Sequence, residues 1–259
     1  ILGDSMTYGS CVNRPDDIAS VLRKVSKKNI LNLSVPGSGP LLQLAVLKEY
    51  FPRNVKNILF FFYEGNDIFN MLDESKNVNL KKYLEKDYNQ NIKNSVIEVN
   101  AIINQLVNKI YLNYLNQKKD KIINNQNNIN NISNEYKVID FFKLYKVRER
   151  IILSHALLVL FEKILNQINN IAEESGTNLY IIFLPDAKTQ IDSIKPSFLR
   201  KNIKKFSEDN NIIFIDIFEK IWRQEKNYLD LFPFNTIGSG HYSHEGYKIV
   251  ANKLNEILN

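Results

Sequence analysis

Cysteine is nearly absent from this sequence, in which Cys11 is the single example. No disulfide can therefore form within the chain, so stability must come from a packed core. The 259 residues, of which 44% are hydrophobic, suffice to bury a sizeable core in one α/β domain. Many exported proteins also lack disulfides, so the cysteine count does not identify a cellular compartment.

Histidine is also scarce, with His155, His241 and His244 as the three examples. No cluster of His, Cys, Asp and Glu residues has the spacing typical of metal ligands. We therefore expect neither a metal nor another cofactor. We interpret His155, which lies in a predicted helix, as structural, and His244, which lies in the first turn of the last predicted helix, as exposed.

Long hydrophobic runs are missing as well. No apolar stretch reaches the roughly 18 residues that a membrane-spanning helix requires, so we expect no membrane span in this chain. The sequence does not begin with methionine, and we expect it to be a fragment of a longer protein. The lack of a signal peptide therefore says nothing about localisation.

The charge balance favours no particular macromolecular partner. The chain carries 34 basic and 28 acidic residues, for a formal net charge of +6. The basic residues form no compact stripe interleaved with aromatic residues, so a nucleic-acid partner is not expected. A mild attraction to anionic polymers or membrane surfaces remains compatible with this charge.

Strand-like and helix-like segments alternate along the chain. Ile1 and Leu2 are typical of the end of a strand, and further strands are predicted over 29–35, 57–63, 179–184 and 212–215. Helices are predicted over 13–25, 41–51, 151–175, 196–208, 218–224 and 243–258, the first starting with Pro15 in its first turn. This alternation predicts a parallel sheet covered by helices on both faces.

The pattern changes between about residues 72 and 150. A helix is predicted over 96–115, followed by an asparagine-rich polar run near 118–135 that is typical of a loose loop. We predict one domain over 1–259, with a helical insertion at about 72–150. We expect this insertion to act as a cap that shapes a pocket.

Three breaks in the chain, at Ser5, Gly37 and Asn66, come directly after predicted strands. Sites in parallel sheets form at the carboxyl ends of strands, so these breaks should lie at one edge. Taken singly, each break is compatible with an ordinary turn or helix cap. Gly37 and Gly39 also suggest a dinucleotide site, but Leu42 occupies the position of the third glycine.

Four separate blocks of the sequence together resemble the SGNH (GDSL) hydrolase superfamily. They are Gly3-Asp4-Ser5, Gly37 after the predicted strand 29–35, Gly65-Asn66-Asp67, and His241 ahead of Ser243 and Gly246. The blocks occur in the family's order and span nearly the whole chain. The resemblance implies a flavodoxin-like, three-layer α/β/α sandwich with a central, mostly parallel sheet.

The resemblance also implies a role for each of these residues. Ser5 would be the nucleophile and His241 the general base, in an ester cleavage that proceeds through an acyl-enzyme. The Ser5 N–H, the Gly37 N–H and the Asn66 side-chain amide would form the oxyanion hole. The substrate expected from the family is a small-molecule or polysaccharide ester, such as an O-acetyl group on a carbohydrate. Family habit also suggests an exported or envelope-associated bacterial protein.

Two positions depart from the family pattern. The acid expected three residues before the histidine is replaced by Gly238, and no acid lies between Asp230 and His241. A backbone carbonyl near Gly238 is our preferred substitute; the other possibilities are a carboxylate from Asp230, Asp216 or Glu245, or an impaired site. Glu64 replaces the family's glycine, and we expect it to face outward or contact a helix end.

Two alternative functions use the same residues differently. An O-acyltransferase would employ the same Ser5–His241 pair and pass the acyl group to a sugar hydroxyl instead of water. A catalytically impaired carbohydrate-binding or assembly module would keep the fold without the reaction. The missing acid at Gly238 favours this second alternative, and the retained Ser5, Gly37, Asn66 and His241 favour an enzyme.

Overall fold

The structure is a computed structural model that describes residues 1–124, 143–186, 198–225, 227–236 and 240–258. These residues fall into two compact units. The first comprises Ile1–Asn89 and His155–Asn259, and the second comprises Gln90–Ser154. The insertion expected at about 72–150 thus overlaps the second unit, whereas residues 72–89 belong to the first.

Three parallel strands form the sheet of the first unit. They are β1 (Asn57–Tyr63), β2 (Asn178–Leu184) and β3 (Ile213–Asp216), in the order β1-β2-β3. Phe60 pairs with Ile181, which pairs in turn with Phe214. The apolar run of β1 is buried along its length, as expected for a strand covered on both faces. The predicted α/β class with a parallel sheet is confirmed.

The first residues of the chain extend this sheet beyond β1. Leu2 N–H donates to Leu59 O, and Phe61 N–H donates to Leu2 O, both at 2.9 Å. On the other side, Leu33 N–H donates to Ile1 O at 2.9 Å, and Val35 N–H donates to Gly3 O at 3.0 Å. The strand predicted over 29–35 is therefore an extended segment, hydrogen-bonded over 31–35 to the start of the chain.

Helices surround the strands in chain order. They are α1 (Ser5–Tyr8), α2 (Ile18–Ser26), α3 (Pro40–Tyr50), α4 (Asp67–Glu74), α5 (Val78–Lys82), α6 (Val96–Asn124), α7 (Lys143–Glu174), α8 (Phe198–Asp209) and α9 (His244–Leu258). A π-helical turn covers Phe218–Trp222, and two 3₁₀ turns cover Tyr228–Leu231 and Pro233–Asn235.

Alternate side chains of the strands enter two separate hydrophobic clusters. Phe60 and Phe62 belong to the first cluster, with residues of α3, of α8 and of the part of α7 beyond residue 155. Leu59 and Phe61 belong to the second cluster, with residues of α2, the π-helical turn and α9. Because successive strand residues point to opposite faces, the sheet buries apolar side chains on both sides.

Two helix boundaries show how local signals compete. The first long helix was predicted to start with Pro15 in its first turn, and this prediction is wrong: α2 begins at Ile18. The carboxylate of Asp17 accepts hydrogen bonds from Ala19 N–H and Ser20 N–H, each at 3.1 Å, and so provides the cap. At the end of α7, Thr177 N–H donates to Ala172 O at 2.8 Å. Gly176 has φ +65°, as predicted for a glycine that ends a helix.

The second unit contains α6, which extends the helix predicted over 96–115. Its side chains as far as residue 114 are exposed, including Ile97 and Ile110. Of the polar run predicted near 118–135, residues 118–124 belong to α6, and 125–135 lie outside the described residues. Across the described parts of the chain, no helix has the combination of length and apolar character needed to cross a membrane.

Candidate active site

Ser5 lies at the first position of the short helix α1, immediately after β-sheet residues 1–3. The carboxylate of Asp4 caps this helix by accepting a hydrogen bond from Met6 N–H at 2.9 Å. Ser5 is half-buried, and its own N–H lies at the helix start, where backbone donors have no partner within the helix. The Gly-Asp-Ser sequence therefore folds as a tight corner that holds the serine at the edge of the sheet.

The side chains of Ser5 and His241 meet at this edge. Ser5 Oγ lies 2.9 Å from His241 Nε2, although 236 residues separate them in the sequence. The Ser5 hydroxyl also has Asp4 Oδ2 at 3.3 Å. A hydroxyl carries a single proton, and the shorter distance favours the imidazole as its acceptor.

Helix α9 and the segment before it bring His241 to the serine. Tyr247 of α9 donates its hydroxyl proton to Met6 O at 2.7 Å, which connects this helix directly to α1. Ser243 N–H donates to Leu231 O at 2.8 Å and fixes the chain just after His241. These contacts fix the chain just after His241.

Gly37 lies in a tight turn after the extended segment 31–35. Ser38 N–H donates to Val35 O at 3.1 Å, and Gly37 has φ +76°. Proline at the second position and a positive φ at the third define a type II turn, which favours glycine. The Gly37 N–H takes no part in the turn's own hydrogen bond. The Ser38 hydroxyl donates to Gly3 O at 3.2 Å, so the turn contacts the residues that lead into Ser5.

Asn66 precedes α4, after the carboxyl end of β1. Its backbone oxygen accepts from Phe69 N–H and Asn70 N–H, each at 2.9 Å. Its side-chain Oδ1 is buried and has no hydrogen-bond partner among the described residues. The Asn66 amide also acts on Asp4, where hydrogen bonding from Met6 N–H and Asn66 partly offsets the rise in pKa that burial causes. The blocks of Ser5 and Asn66 therefore converge on the Asp4 carboxylate.

A second buried carboxylate, Asp67, lies next to this group. Its Oδ2 accepts a hydrogen bond from Tyr63 N–H at 2.9 Å. Complete burial raises the pKa of Asp67 well above its usual value, and the neighbouring Asp4 raises it further. The Gln43 side chain faces the carboxylate and opposes this rise. Two carboxylates thus lie close together in the protein interior next to the serine corner.

The three carboxylates considered as substitutes for the missing acid contact other groups. Asp216 is paired with Arg200 and accepts Phe218 N–H at 3.0 Å. Asp230 is exposed and accepts from Asn227 Nδ2 at 2.9 Å. Glu245 is exposed and lies 3.3 Å from Lys248 Nζ. These contacts give no support to a role for Asp230, Asp216 or Glu245 in orienting His241.

The preferred substitute, a carbonyl near Gly238, lies outside the described residues. The His155 side chain does so too. His244 is exposed and 3.1 Å from Glu245, as its predicted position at the start of the last helix suggested. His241 is therefore the histidine that the fold places beside Ser5.

Glu64 corrects one expectation. It does not face outward, because the residue is buried, and its Oε2 accepts Asp186 N–H at 3.1 Å. The carboxylate that replaces the family's glycine thus fastens the end of β1 to the chain leaving β2. Next to it, the Tyr63 hydroxyl donates to Asp186 Oδ1 at 3.4 Å.

Sequence reasoning missed several residues around this edge, including Tyr63, Asp67, Gln43 and Glu74. The Asp67 position follows directly on Asn66, so the block itself was a signal for it. The other three depend on contacts between elements and have no local pattern. Among the described residues, no group of three or more His, Cys, Asp or Glu side chains is arranged to hold a metal ion.

No protein-family model matches this sequence, and a search among curated proteins likewise finds no match.

Proposed function

We propose that this chain is a serine esterase of the SGNH type, acting through an acyl-enzyme on Ser5. The observation that carries the proposal is the 2.9 Å separation between Ser5 Oγ and His241 Nε2. A serine hydroxyl is a weak nucleophile until a base within hydrogen-bond distance accepts its proton. The resemblance of the four sequence blocks to the superfamily supports the same assignment.

The chemistry assigned to the site proceeds in two halves. Ser5 Oγ attacks the ester carbonyl while His241 Nε2 accepts the hydroxyl proton, and the carbonyl oxygen becomes an oxyanion. The tetrahedral intermediate then collapses, and His241 returns the proton to the departing alcohol. In the second half, water gives a proton to His241 and attacks the acyl-Ser5 carbonyl, which releases the acid and restores the serine.

The oxyanion in both halves needs hydrogen-bond donors. The N–H of Ser5 at the start of α1, the free-turning N–H of Gly37 and the amide of Asn66 are the donors in this proposal. Backbone donors at a helix start and a type II turn are fixed before substrate arrives, so they need no rearrangement during the reaction.

The finer architecture belongs to the same proposal. Hydrogen bonds place residues 1–3 between the segment 31–35 and β1, which suggests five parallel segments in the order 31–35, 1–3, β1, β2, β3. Numbered along the chain, this is the order 2-1-3-4-5 of a flavodoxin-like sheet. The two hydrophobic clusters on opposite faces support a three-layer α/β/α sandwich. The proposed substrate, an O-acetyl or other short acyl ester of a carbohydrate, rests on the family resemblance.

Intact-mass analysis after treatment with a fluorophosphonate probe tests the proposal. We expect one adduct on the wild type, none on Ser5→Ala and a strongly slowed reaction for His241→Ala. Ser10→Ala and His244→Ala are matched controls, since both side chains are exposed and both variants should react like the wild type. A folded wild type that forms no adduct would overturn the esterase and acyltransferase assignments together and favour a non-catalytic binding module.

A further inference from the structure

Helix α3 begins beside the Gly37 turn without a capping residue of its own. Gly39 occupies the N-cap position and offers no side chain, and Pro40 follows it. The carboxylate of Glu74, at the far end of α4, supplies the cap instead. It accepts hydrogen bonds from Gly39 N–H, from Leu41 N–H at 3.2 Å and from Leu42 N–H at 3.1 Å. A carboxylate at a helix start is also favoured by the helix dipole.

The backbones of the two segments also lie in direct contact. A Cβ built on Gly39 would lie 2.5 Å from Met71 N and 2.9 Å from Asn70 C, so only glycine permits this approach to α4. One residue earlier, Ser38 O accepts from Asn70 Nδ2 at 3.4 Å. The end of the Gly37 turn is thus fastened to α4 by a carboxylate, an amide and close backbone packing.

Helix α4 therefore connects two of the proposed oxyanion donors. Asn66 precedes its first residue, and Glu74 lies at its last turn, about two helical turns further on. Through Glu74, the same helix holds the chain two residues after Gly37. The Ser38 hydroxyl, bonded to Gly3 O, fixes the other side of the turn.

We propose that Glu74 is a positioning residue that sets the Gly37 N–H relative to Asn66 and Ser5, so that α4 aligns the oxyanion hole. This inference rests on the proposed function. Glu74 acts through the backbone that it holds. An oxyanion donor displaced by even about 1 Å can cost 100-fold in rate, so a distant anchor can control turnover.

Kinetics of Glu74→Ala and Glu74→Gln with p-nitrophenyl acetate and the fluorophosphonate probe test this role. For Glu74→Ala we expect kcat and the labelling rate to fall about 10- to 100-fold, with KM changed less than about twofold. Glu74→Gln keeps one carbonyl acceptor and should show a smaller loss. The pH midpoint of kcat/KM should stay where it is in the wild type, because the Ser5–His241 contact is not altered.

Asp73→Asn is the matched control, because Asp73 is the neighbouring acid on α4 but is exposed and paired with Lys76. It should leave both rates unchanged. Hydrogen exchange should show faster exchange of the Gly39, Leu41 and Leu42 amides in the Glu74 variants and not in Asp73→Asn. If Glu74→Ala is too unstable to study, Glu74→Gln carries the same comparison.

The outcomes separate the two proposals. A reactive wild type whose folded Glu74 variants react equally fast overturns the positioning role and leaves the esterase in place. Faster exchange together with an unchanged kcat has the same meaning. A wild type that reacts with neither reagent overturns the proposed function and the positioning role with it.

Discussion

Asn66 provides the side-chain donor of the proposed oxyanion hole, next to the buried carboxylate of Asp4. In Asn66→Ala, the developing negative charge would lose one hydrogen bond in the transition state but not in the bound ester. We therefore expect kcat for p-nitrophenyl acetate to fall about 100- to 1000-fold with little change in KM. Asn79→Ala, which removes an exposed asparagine from α5, is the control. A rate within about threefold of the wild type would contradict a donor role for Asn66.

Asp67 should give the stability of the chain a distinctive pH dependence. Burial raises the pKa of its carboxyl group in the folded state, with Asp4 adding to the rise. The folded chain then holds the proton more tightly than the unfolded chain does. The stability that this difference contributes is fully present below the ordinary aspartate pKa of about 3.9 and is lost as pH rises through the raised value.

Asp67→Asn tests this linkage, because asparagine keeps an oxygen that can accept the Tyr63 N–H but carries no titratable proton. Relative to the wild type, the free energy of unfolding of the variant should increase as pH rises from about 4 to about 8. Urea titrations at several pH values measure the difference. Asp73→Asn, at an exposed carboxylate, should show no such trend. A constant difference between Asp67→Asn and wild type would refute a raised pKa at Asp67.

Among the elements, the contact between α8 and the end of β3 decides what Asp216 does. Arg200 of α8 is nearly buried and pairs with both Asp216 and Glu219, while its guanidinium lies 4.9 Å from the Phe218 ring. Asp216→Asn would leave the buried guanidinium with less negative charge. We expect the free energy of unfolding to fall by about 3 kcal/mol, since breaking a buried pair costs more than losing an exposed one.

Activity separates this structural role of Asp216 from the orienting role considered for it at the sequence level. At a temperature where Asp216→Asn is folded, kcat for p-nitrophenyl acetate should stay close to the wild-type value. Glu245→Gln, which affects an exposed pair with Lys248, should change neither stability nor kcat. A large loss of kcat in folded Asp216→Asn would show instead that this carboxylate acts on His241.

Elements were predictable where a single local signal dominates. The apolar run of 57–63 gave β1 with its observed bounds, because a strand buried on both faces needs no polar alternation. The start of α2 was mistaken because Pro15 and Asp17 both suit a helix start, and the side-chain cap of Asp17 prevailed. The segment 31–35 is extended as predicted, but its pairing depends on Ile1 and Gly3, which lie far away in sequence.

The whole molecule determines the part of the site that no local pattern reveals. Ser5, Gly37, Asn66 and His241 were found because each lies in a short block at the end of a strand or the start of a helix. Glu74 and Asp67 escaped because their roles depend on which helices meet. No sequence pattern states that α4 will lie beside the start of α3, and packing alone makes Glu74 a cap for another helix.

The proposed site joins the two ends of the sequence, so labelling of Ser5 should report the folding of the first unit as a whole. Tyr247 of α9 and Met6 of α1 are buried, and the hydrogen bond between them is one of the contacts joining these ends. Tyr247→Phe would leave the Met6 carbonyl without this donor, at a cost of about 1–3 kcal/mol in the free energy of unfolding. Tyr8→Phe, at an exposed tyrosine, is the control.

Urea titrations of Tyr247→Phe, followed both by circular dichroism and by fluorophosphonate labelling, measure this coupling. Because the same packed sheet holds both partners, we expect the two midpoints to shift together to lower urea, with labelling of the folded variant retained. If labelling were lost well below the urea concentration at which helicity falls, α9 would be separating from α1 on its own. The Ser5–His241 pair would then depend on a local contact, and the cooperative core of the first unit would not include it.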